Sequence, residues 1–211
     1  LTLGKGVQPE EQKFRASGSL TALAVDKFLG NTKVEQGAID FVADRSQIKM
    51  SGTGQAFGAP AKLDVVKVGQ DVGALTLTAV IDDAARAKLN FNSGPRIRGP
   101  LTLKLKAPLD KSGADVEIDL AKTTMESFGG PPWKSAGKPG KATLQIKPGP
   151  DGVQVNNLVI EAGTLNARGS ALFANEGALK SLKLAPLRMS AADDLRLDLD
   201  GGERPKLTLR G

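Results

Sequence analysis

Between Gly99 and Met125 the chain reads GPLTLKLKAPLDKSGADVEIDLAKTTM, and apolar and polar positions alternate in two separate stretches. Leu101, Leu103 and Leu105 interleave with Thr102, Lys104 and Lys106; Val116, Ile118 and Leu120 interleave with Glu117 and Asp119. Successive side chains of a strand point to opposite faces, so each stretch predicts a strand with one apolar and one charged face. Residues 108–113 between them carry Pro, Asp, Ser and Gly, which favour a turn. Two consecutive antiparallel strands are predicted, and the same pattern recurs along the chain.

Taken in order, residues 1–12 are polar and weakly patterned apart from the opening Leu-Thr-Leu. Residues 13–25 read as a strand that buries Phe14, Ala16, Leu20 and Val25. Leu20, Leu23, Ala24 and Phe28 also fit helical spacing, so a helix over 20–29 competes with it. Gly30-Asn31 breaks the segment in either case. Strands are predicted over 38–43, 47–57, 61–68 and 74–81, with turns at 44–46, 58–60 and 69–73. Residues 82–90 predict the one helix, since Asp82 or Asp83 can cap it and Ala84, Ala85, Ala87 and Leu89 favour it. A helix this short plugs an edge or an end of a sheet rather than forming a domain.

Gly and Pro dominate residues 128–142, which predicts a loop. Strands resume over 142–147, 152–161, 164–173, 178–184, 194–200 and 206–210, and turn residues recur roughly every ten positions, as in an antiparallel meander. A weak internal repeat relates residues 38–57 to 155–173. Laying Phe41 to Gly52 over Leu158 to Gly169 pairs Val42 with Val159 and Gly52 with Gly169. Repeated strand pairs that bury a face only when stacked are the logic of extended repeat proteins.

Composition narrows the picture. At 211 residues the chain has room for one or two domains. Seven Phe, one Trp and no Tyr suit a thin, extended apolar layer better than a thick spherical core. There is no Cys and no His, which removes thiol chemistry, the usual ligands of structural zinc and the commonest general base. The net charge of +6 is spread along the strands, as on a solvated face or on a basic surface that meets anionic headgroups. Nucleic acid is not an expected partner, because few aromatic rings are available to stack on bases. No run approaches the ~20 apolar residues of a membrane span, and no signal peptide is visible. The chain opens mid-pattern at Leu1 and is expected to be a piece of a longer protein, with an anchor or signal in a missing N-terminal part.

Catalytic chemistry is hard to assemble. Asp82-Asp83 and Asp193-Asp194 are adjacent carboxylates at the starts of predicted elements. Neighbours on a strand face opposite ways, so capping is the expected role of both pairs. Lys134-Ser135 reads as plain loop. Gly137 to Lys141 lacks the spacing and the strand–loop–helix context of a phosphate loop. Trp133 reads as a ring folded over the end of the sheet, with a membrane-interface or partner anchor as the sharper alternative. No enzyme activity, metal or cofactor is expected.

The informative set is therefore apolar: Leu75, Leu77, Leu101, Leu103, Leu105, Val116, Ile118, Leu120, Leu195, Leu197, Leu199, Leu207 and Leu209. These residues either form the core of a closed sandwich or barrel, or line a trough that keeps its apolar side open to acyl chains.

The segment ADVEIDLAKTTMESFGGPPWKSAGKPGKATLQI, with its Asp119-Leu120, Trp133-Lys134 and Lys138-Pro139-Gly140, resembles a recurring unit of the AsmA-like superfamily, in particular its large YhdP-type members. IDFVADRSQIKMSGTGQAFGAPAKLDV and LVIEAGTLNARGSALF are similar to the same family's strand–turn–strand units. The resemblance spans roughly residues 38–211 and rests on strand and turn punctuation.

The resemblance implies one elongated β-domain: a long, curved, antiparallel sheet forming a hydrophobic groove, with one short helix. It implies a Gram-negative envelope protein in the periplasm, anchored in the inner membrane by its N-terminal part. Such a protein carries phospholipids between the inner and outer membranes by holding their acyl chains, alongside other envelope proteins. It implies no catalytic residues. The rival readings are a non-catalytic β-sandwich or β-solenoid scaffold of a surface protein and, less favoured, a polysaccharide hydrolase. Sugar sites favour aromatic platforms, which this chain lacks.

Overall fold

In the computed structural model, which describes residues 14–29, 32–88, 97–127, 129–175, 177–201 and 205–211, the alternating stretches become strands. β1 (Arg15–Leu29), β2 (Thr32–Asp44), β3 (Gln47–Ala56), β4 (Ala59–Val68) and β5 (Ala74–Ile81) lead to the helix α1 (Asp83–Lys88) and the two-residue β6 (Ile97–Arg98). β7 (Leu101–Pro108), β8 (Ala114–Asp119), the short β9 (Thr124–Met125), β10 (Gly140–Gly149) and β11 (Gly152–Ala162) follow. β12 (Leu165–Phe173), β13 (Leu179–Arg188), β14 (Leu195–Asp200) and β15 (Lys206–Arg210) complete the order.

Thirteen strands form one antiparallel sheet, ordered as they occur in the chain and skipping only β6 and β9, which pair with each other. Among the described residues the sheet does not close into a barrel, and β1 and β15 are its outermost strands.

Register turns the alternation into continuous rows. Ala61, Ala79, Leu103, Ile118, Ala142, Ile160, Ala167, Leu187 and Leu195 lie opposite one another in succession from β4 to β14. The next row runs Leu63, Leu77, Leu105, Val116, Leu144. Between these two rows, on the other face, stand Lys62, Thr78, Lys104, Glu117 and Thr143. Leu77 is 0% exposed and Leu105 2%. Among the described residues every long strand belongs to this one sheet. Burial in these rows comes from the apolar neighbours packed around each residue and from the elements that fold onto one end of the sheet. Each such burial stabilises the fold by roughly 1.5–3 kcal/mol.

Three register shifts keep the rows on one face. Ile160 and Leu158 face the apolar side, and so does Val155, an odd step away. The extra residue is absorbed at a bulge where Asn157 takes a φ of 49°. Leu184 and Leu187 are related in the same way across a shift that holds Pro186, a residue with no N–H to give the ladder. In β2 the shift between Glu35 and Ala38 contains Gln36 at φ 54°.

That shift hides the start of β2 from a period-two reading. The strand begins at Thr32, not at 38, and Val34 is buried opposite Ala56. Likewise the helix that competes over 20–29 is not formed. β1 runs through those residues, and its register shifts, with Ala22 at φ 56°, blur the alternation into helix-like spacing. Ala16 and Leu20 in β1, and Phe14 just before it, are exposed rather than buried, because among the described residues β1 has a strand on one side only, and the side chain of Val25 lies outside what is described. The break at Gly30-Asn31, the end of the predicted helix at Leu89 and Asn90, and residues 1–12 lie outside the described residues.

Gly52 and Gly169, the identical glycines of the internal repeat, both lie in close backbone approaches. A Cβ on Gly52 would collide with the Ala38 carbonyl, and one on Gly169 with the Lys183 carbonyl. The two hairpins are otherwise placed differently, for the β2–β3 and β11–β12 turns lie at opposite ends of the sheet. In the β2–β3 turn the Asp44 carboxylate accepts the N–H groups of Ser46 (2.8 Å) and Gln47 (3.0 Å) and the Ser46 hydroxyl (2.6 Å).

Two predictions follow from these contacts. Gly169→Val forces β12 and β13 apart and should cost roughly 1–3 kcal/mol, read as a lower urea midpoint; an unchanged midpoint would refute the close approach. Ser46 and Gln47 stabilise the charged Asp44 carboxylate and hold its pKa at about 2. A depressed carboxylate contributes stability above its unfolded pKa and loses it as pH falls through the folded one. The Asp44 contribution should therefore disappear between about pH 4 and pH 2. A carbon-detected NMR titration giving an ordinary carboxylate midpoint for Asp44 would contradict it.

Candidate functional site

The predicted apolar residues converge on one face. Leu77, Leu105, Val116 and Leu120 are buried within it. Leu75, Leu101, Leu103, Ile118, Leu195, Leu197 and Leu199 are half-buried and stand beside them on the same face. Leu207 and Leu209, on the outermost strand β15, are 63% and 54% exposed. Leu197 lies between Leu184 and Leu209, and Leu199 between Leu182 and Leu207, so the rows extend to the last strand.

Two clusters share this face. One centres on Leu77, Leu105 and Val116, with Leu63, Leu75 and Leu144 around it. The other centres on Leu120, Ala142, Leu165 and Leu187, with Trp133, Leu195 and Leu197 around it. Leu101 and Ile118 pack against both, so the apolar surface is continuous.

One rim of this face is covered. Asp82 caps α1 by accepting the Ala85 N–H (2.8 Å). Arg86 is buried, and its guanidinium donates to the carbonyls of Ile81 (3.2 Å), Ile97 (3.2 Å) and Gly99 (2.9 Å) while pairing with Asp83. This ties the end of β5 to β6. β6 pairs with β9, and the Met125 N–H donates to the Lys134 carbonyl (2.8 Å). The Trp133 carbonyl in turn accepts the Thr164 N–H (2.9 Å), so the cover runs from β5 to the β11–β12 turn. Trp133 is half-buried against the second cluster, a ring folded over the end of the sheet as predicted.

Lys134 corrects the plain-loop reading. It is 2% exposed, and its ammonium donates to the carbonyls of Thr123 (2.7 Å), Ser135 (3.2 Å) and Ala121 (3.3 Å). Burial lowers its pKa, and the nearby Asp119 charge opposes that shift. Burial likewise lowers the Arg86 pKa against the field of Asp82. The fit is tight, for a Cβ on Gly140 would meet the Lys134 stem and one on Gly163, at φ +65°, the Trp133 carbonyl. A lysine among Gly and Pro reads as solvated, and nothing in the local sequence marks Lys134 as packed. Asp193 accepts the N–H groups of Met189 (3.1 Å) and Ser190 (2.7 Å) and closes the β13–β14 turn, reaching back to the residues before it rather than capping the strand that follows.

The exposed strip carries aliphatic side chains and no titratable group. What it can do chemically is bury apolar surface. Among the described residues no acidic cluster is placed to hold a metal ion, and no helix is long and apolar enough to cross a membrane. No family model, curated protein or solved structure matches the chain.

The buried ammonium yields a prediction. Lys134→Met keeps the stem but removes the ammonium that the buried Thr123 carbonyl accepts, at a cost of roughly 1–3 kcal/mol. The Ala121 and Ser135 carbonyls keep the N–H groups of Gly137 and Lys138. Trp133 emission should shift to the red and the Thr164 amide should exchange faster, while the β-sheet circular dichroism persists. An unshifted Trp133 spectrum with unaltered stability would rule out the capping role.

Proposed function

We infer that this chain is a lipid-binding segment of a periplasmic bridge-like protein of the AsmA-like kind. Such a protein carries phospholipids between the inner and outer membranes and is held at the inner membrane by a part outside this chain. The observation that supports the reading is the unbroken aliphatic row from Ala61 to Leu195, in which Leu103, Ile118, Ile160 and Leu195 are half-buried among buried neighbours. With strands about 4.8 Å apart, a row over nine strands runs for about 40 Å. One leaflet's share of a hydrocarbon core is about 15 Å, so the strip is long enough for acyl chains to lie in succession. Each buried methylene is worth roughly 0.8 kcal/mol, which suits holding lipid without any bond-making step. We expect no turnover on lipids or glycans and no metal requirement.

A second reading, a non-catalytic scaffold, is favoured by the complete burial of Leu77 and near-complete burial of Leu105, since there the face is already filled. Charged substitutions separate the two. A carboxylate forced into an apolar site is strongly disfavoured. Leu105→Asp should therefore unfold the protein or lower its stability by several kcal/mol, on the order of other buried-charge changes. Leu103→Asp, Ile118→Asp and Leu197→Asp replace half-buried residues that water can reach. They should leave a near-normal melt while co-purified or vesicle-derived phospholipid falls. A wild-type protein that never holds phospholipid, and collapses with every one of these changes, would favour the scaffold.

A further inference from the structure

We propose that the end of the sheet opposite the covered rim is a lip that rests on an anionic bilayer surface. Aliphatic side chains from the strand ends and turns of β3, β4, β5 and β7 enter the headgroup layer there. The inference rests on exposure and charge at that end and does not require that the apolar rows carry lipid.

Three turns at this end are tied to one another. The Gly69 N–H donates to the Ser46 carbonyl (2.7 Å), and the Leu109 N–H to the Gly73 carbonyl (3.3 Å). Residues 44–46, 69–73 and 108–113 therefore form one continuous margin. A Cβ on Gly73 would stand 3.0 Å from Leu109 Cδ1 and 2.9 Å from the Lys67 Cβ, which places Leu109 against the β4–β5 turn. Among the described residues, leaving aside β15 and β1 with the residue before it, six large hydrophobic side chains are exposed. Five of them stand at this margin: Ile48, Val66, Val68, Val72 and Leu109. All five belong to interior strands or to the turns that join them. Exposed aliphatic groups gathered at one place mark a contact surface, where the same groups scattered singly would not.

Shape and charge select the occupant. Ile48 stands opposite Lys67 on the apolar face, continuing it past the row of Met50, Val65, Leu75 and Ala107. Val66, opposite Lys49, and Val68 stand on the other face. The aliphatic groups thus wrap both sides of the margin. A flat protein surface covers one side of such a margin, whereas headgroups and acyl chains close around both. The cations are placed in the same way, with Lys49 on one face, Lys67 on the other and Lys111 in the β7–β8 turn. Among the described residues none of these three lysines pairs with a carboxylate. Of the acids at this end, Asp44 and Asp110 are turned inward to hold the N–H groups of Ser46 and Ser112, which leaves Asp71. Aliphatic tips ringed by lysines suit an interface where the stems lie among headgroups and the ammonium groups meet phosphate.

The test uses the whole chain and vesicles of phosphatidylcholine with or without phosphatidylglycerol. The chain has no Cys, so a polarity-sensitive dye can be attached through Val72→Cys on the lip or through Lys138→Cys at the covered rim. On anionic vesicles the lip dye should shift to the blue and the rim dye should not. In flotation, binding to anionic vesicles should exceed binding to pure phosphatidylcholine by about tenfold or more and weaken as salt rises. Changing Lys49, Lys67 and Lys111 to Gln should close that difference by about fivefold per lysine. Val68→Asp with Val72→Asp alters two exposed positions, so the melting temperature should hold while vesicle binding is lost. Leu103→Asp, which tests lipid carriage, should leave vesicle binding intact, so the two readings fail separately. No vesicle binding, equal binding to both vesicle types, a blue shift at the rim dye alone, binding that survives both aspartates, or a wild-type dimer that Val68→Asp dissolves would each overturn the proposal.

Discussion

Everything in this structure depends on register. Side chains on a strand alternate with a period of two, so a slip of one residue in any of the central pairings would move a whole row of Leu, Ile and Ala to the charged side. Thirteen strands share that constraint, and the molecule meets it in two ways. The hairpins are short, with turn carboxylates such as Asp44 and Asp110 bonded to the N–H groups two residues on. Where the chain has an odd residue too many, a bulge takes it up, as at Asn157 and Pro186, and the next apolar side chain returns to the same face.

The covered rim solves a different problem. The residues that cross it leave backbone carbonyls with hydrogen-bonding capacity to fill, and buried carbonyls need donors. Arg86 and Lys134 supply them from side chains, each cation reaching three carbonyls. Desolvating a cation is expensive, so such groups pack well only where backbone oxygens are already fixed in place. Thr123, fully buried, links the two regions. Its hydroxyl donates to the Pro100 carbonyl (3.1 Å) and its own carbonyl accepts the Lys134 ammonium.

Much of this was legible in advance. Clean alternation in β7, β8, β14 and β15 announced strands and their faces, and Asp82 with its alanines announced α1. What escaped detection did so for physical reasons. A bulge breaks the period that identifies a strand, which hid the start of β2 and gave β1 a spurious helical look. Two-residue strands such as β6 and β9 carry no period at all. The burial of Lys134 depends on carbonyls from residues 121 and 123, brought close only by the fold. The apolar residues of the candidate site were recognisable as a set. Their division into buried positions such as Leu77 and Leu105 and half-buried ones such as Leu103 and Leu197 depends on which neighbours the fold brings against each, which no local pattern encodes.

The strand order has its own consequence. Because each long strand hydrogen-bonds only to its neighbours along the chain, the sheet is close to a one-dimensional array. In such arrays stability accumulates from units and their nearest-neighbour interfaces, and assembly can start at any hairpin and spread outward. Local pairing also keeps contact order low for so large an all-β structure, which favours fast folding. Insertion or loss of a two-stranded hairpin preserves both the antiparallel direction and the identity of the faces. Evolution can therefore lengthen or shorten a surface of this design in steps of two strands without redesigning the rest.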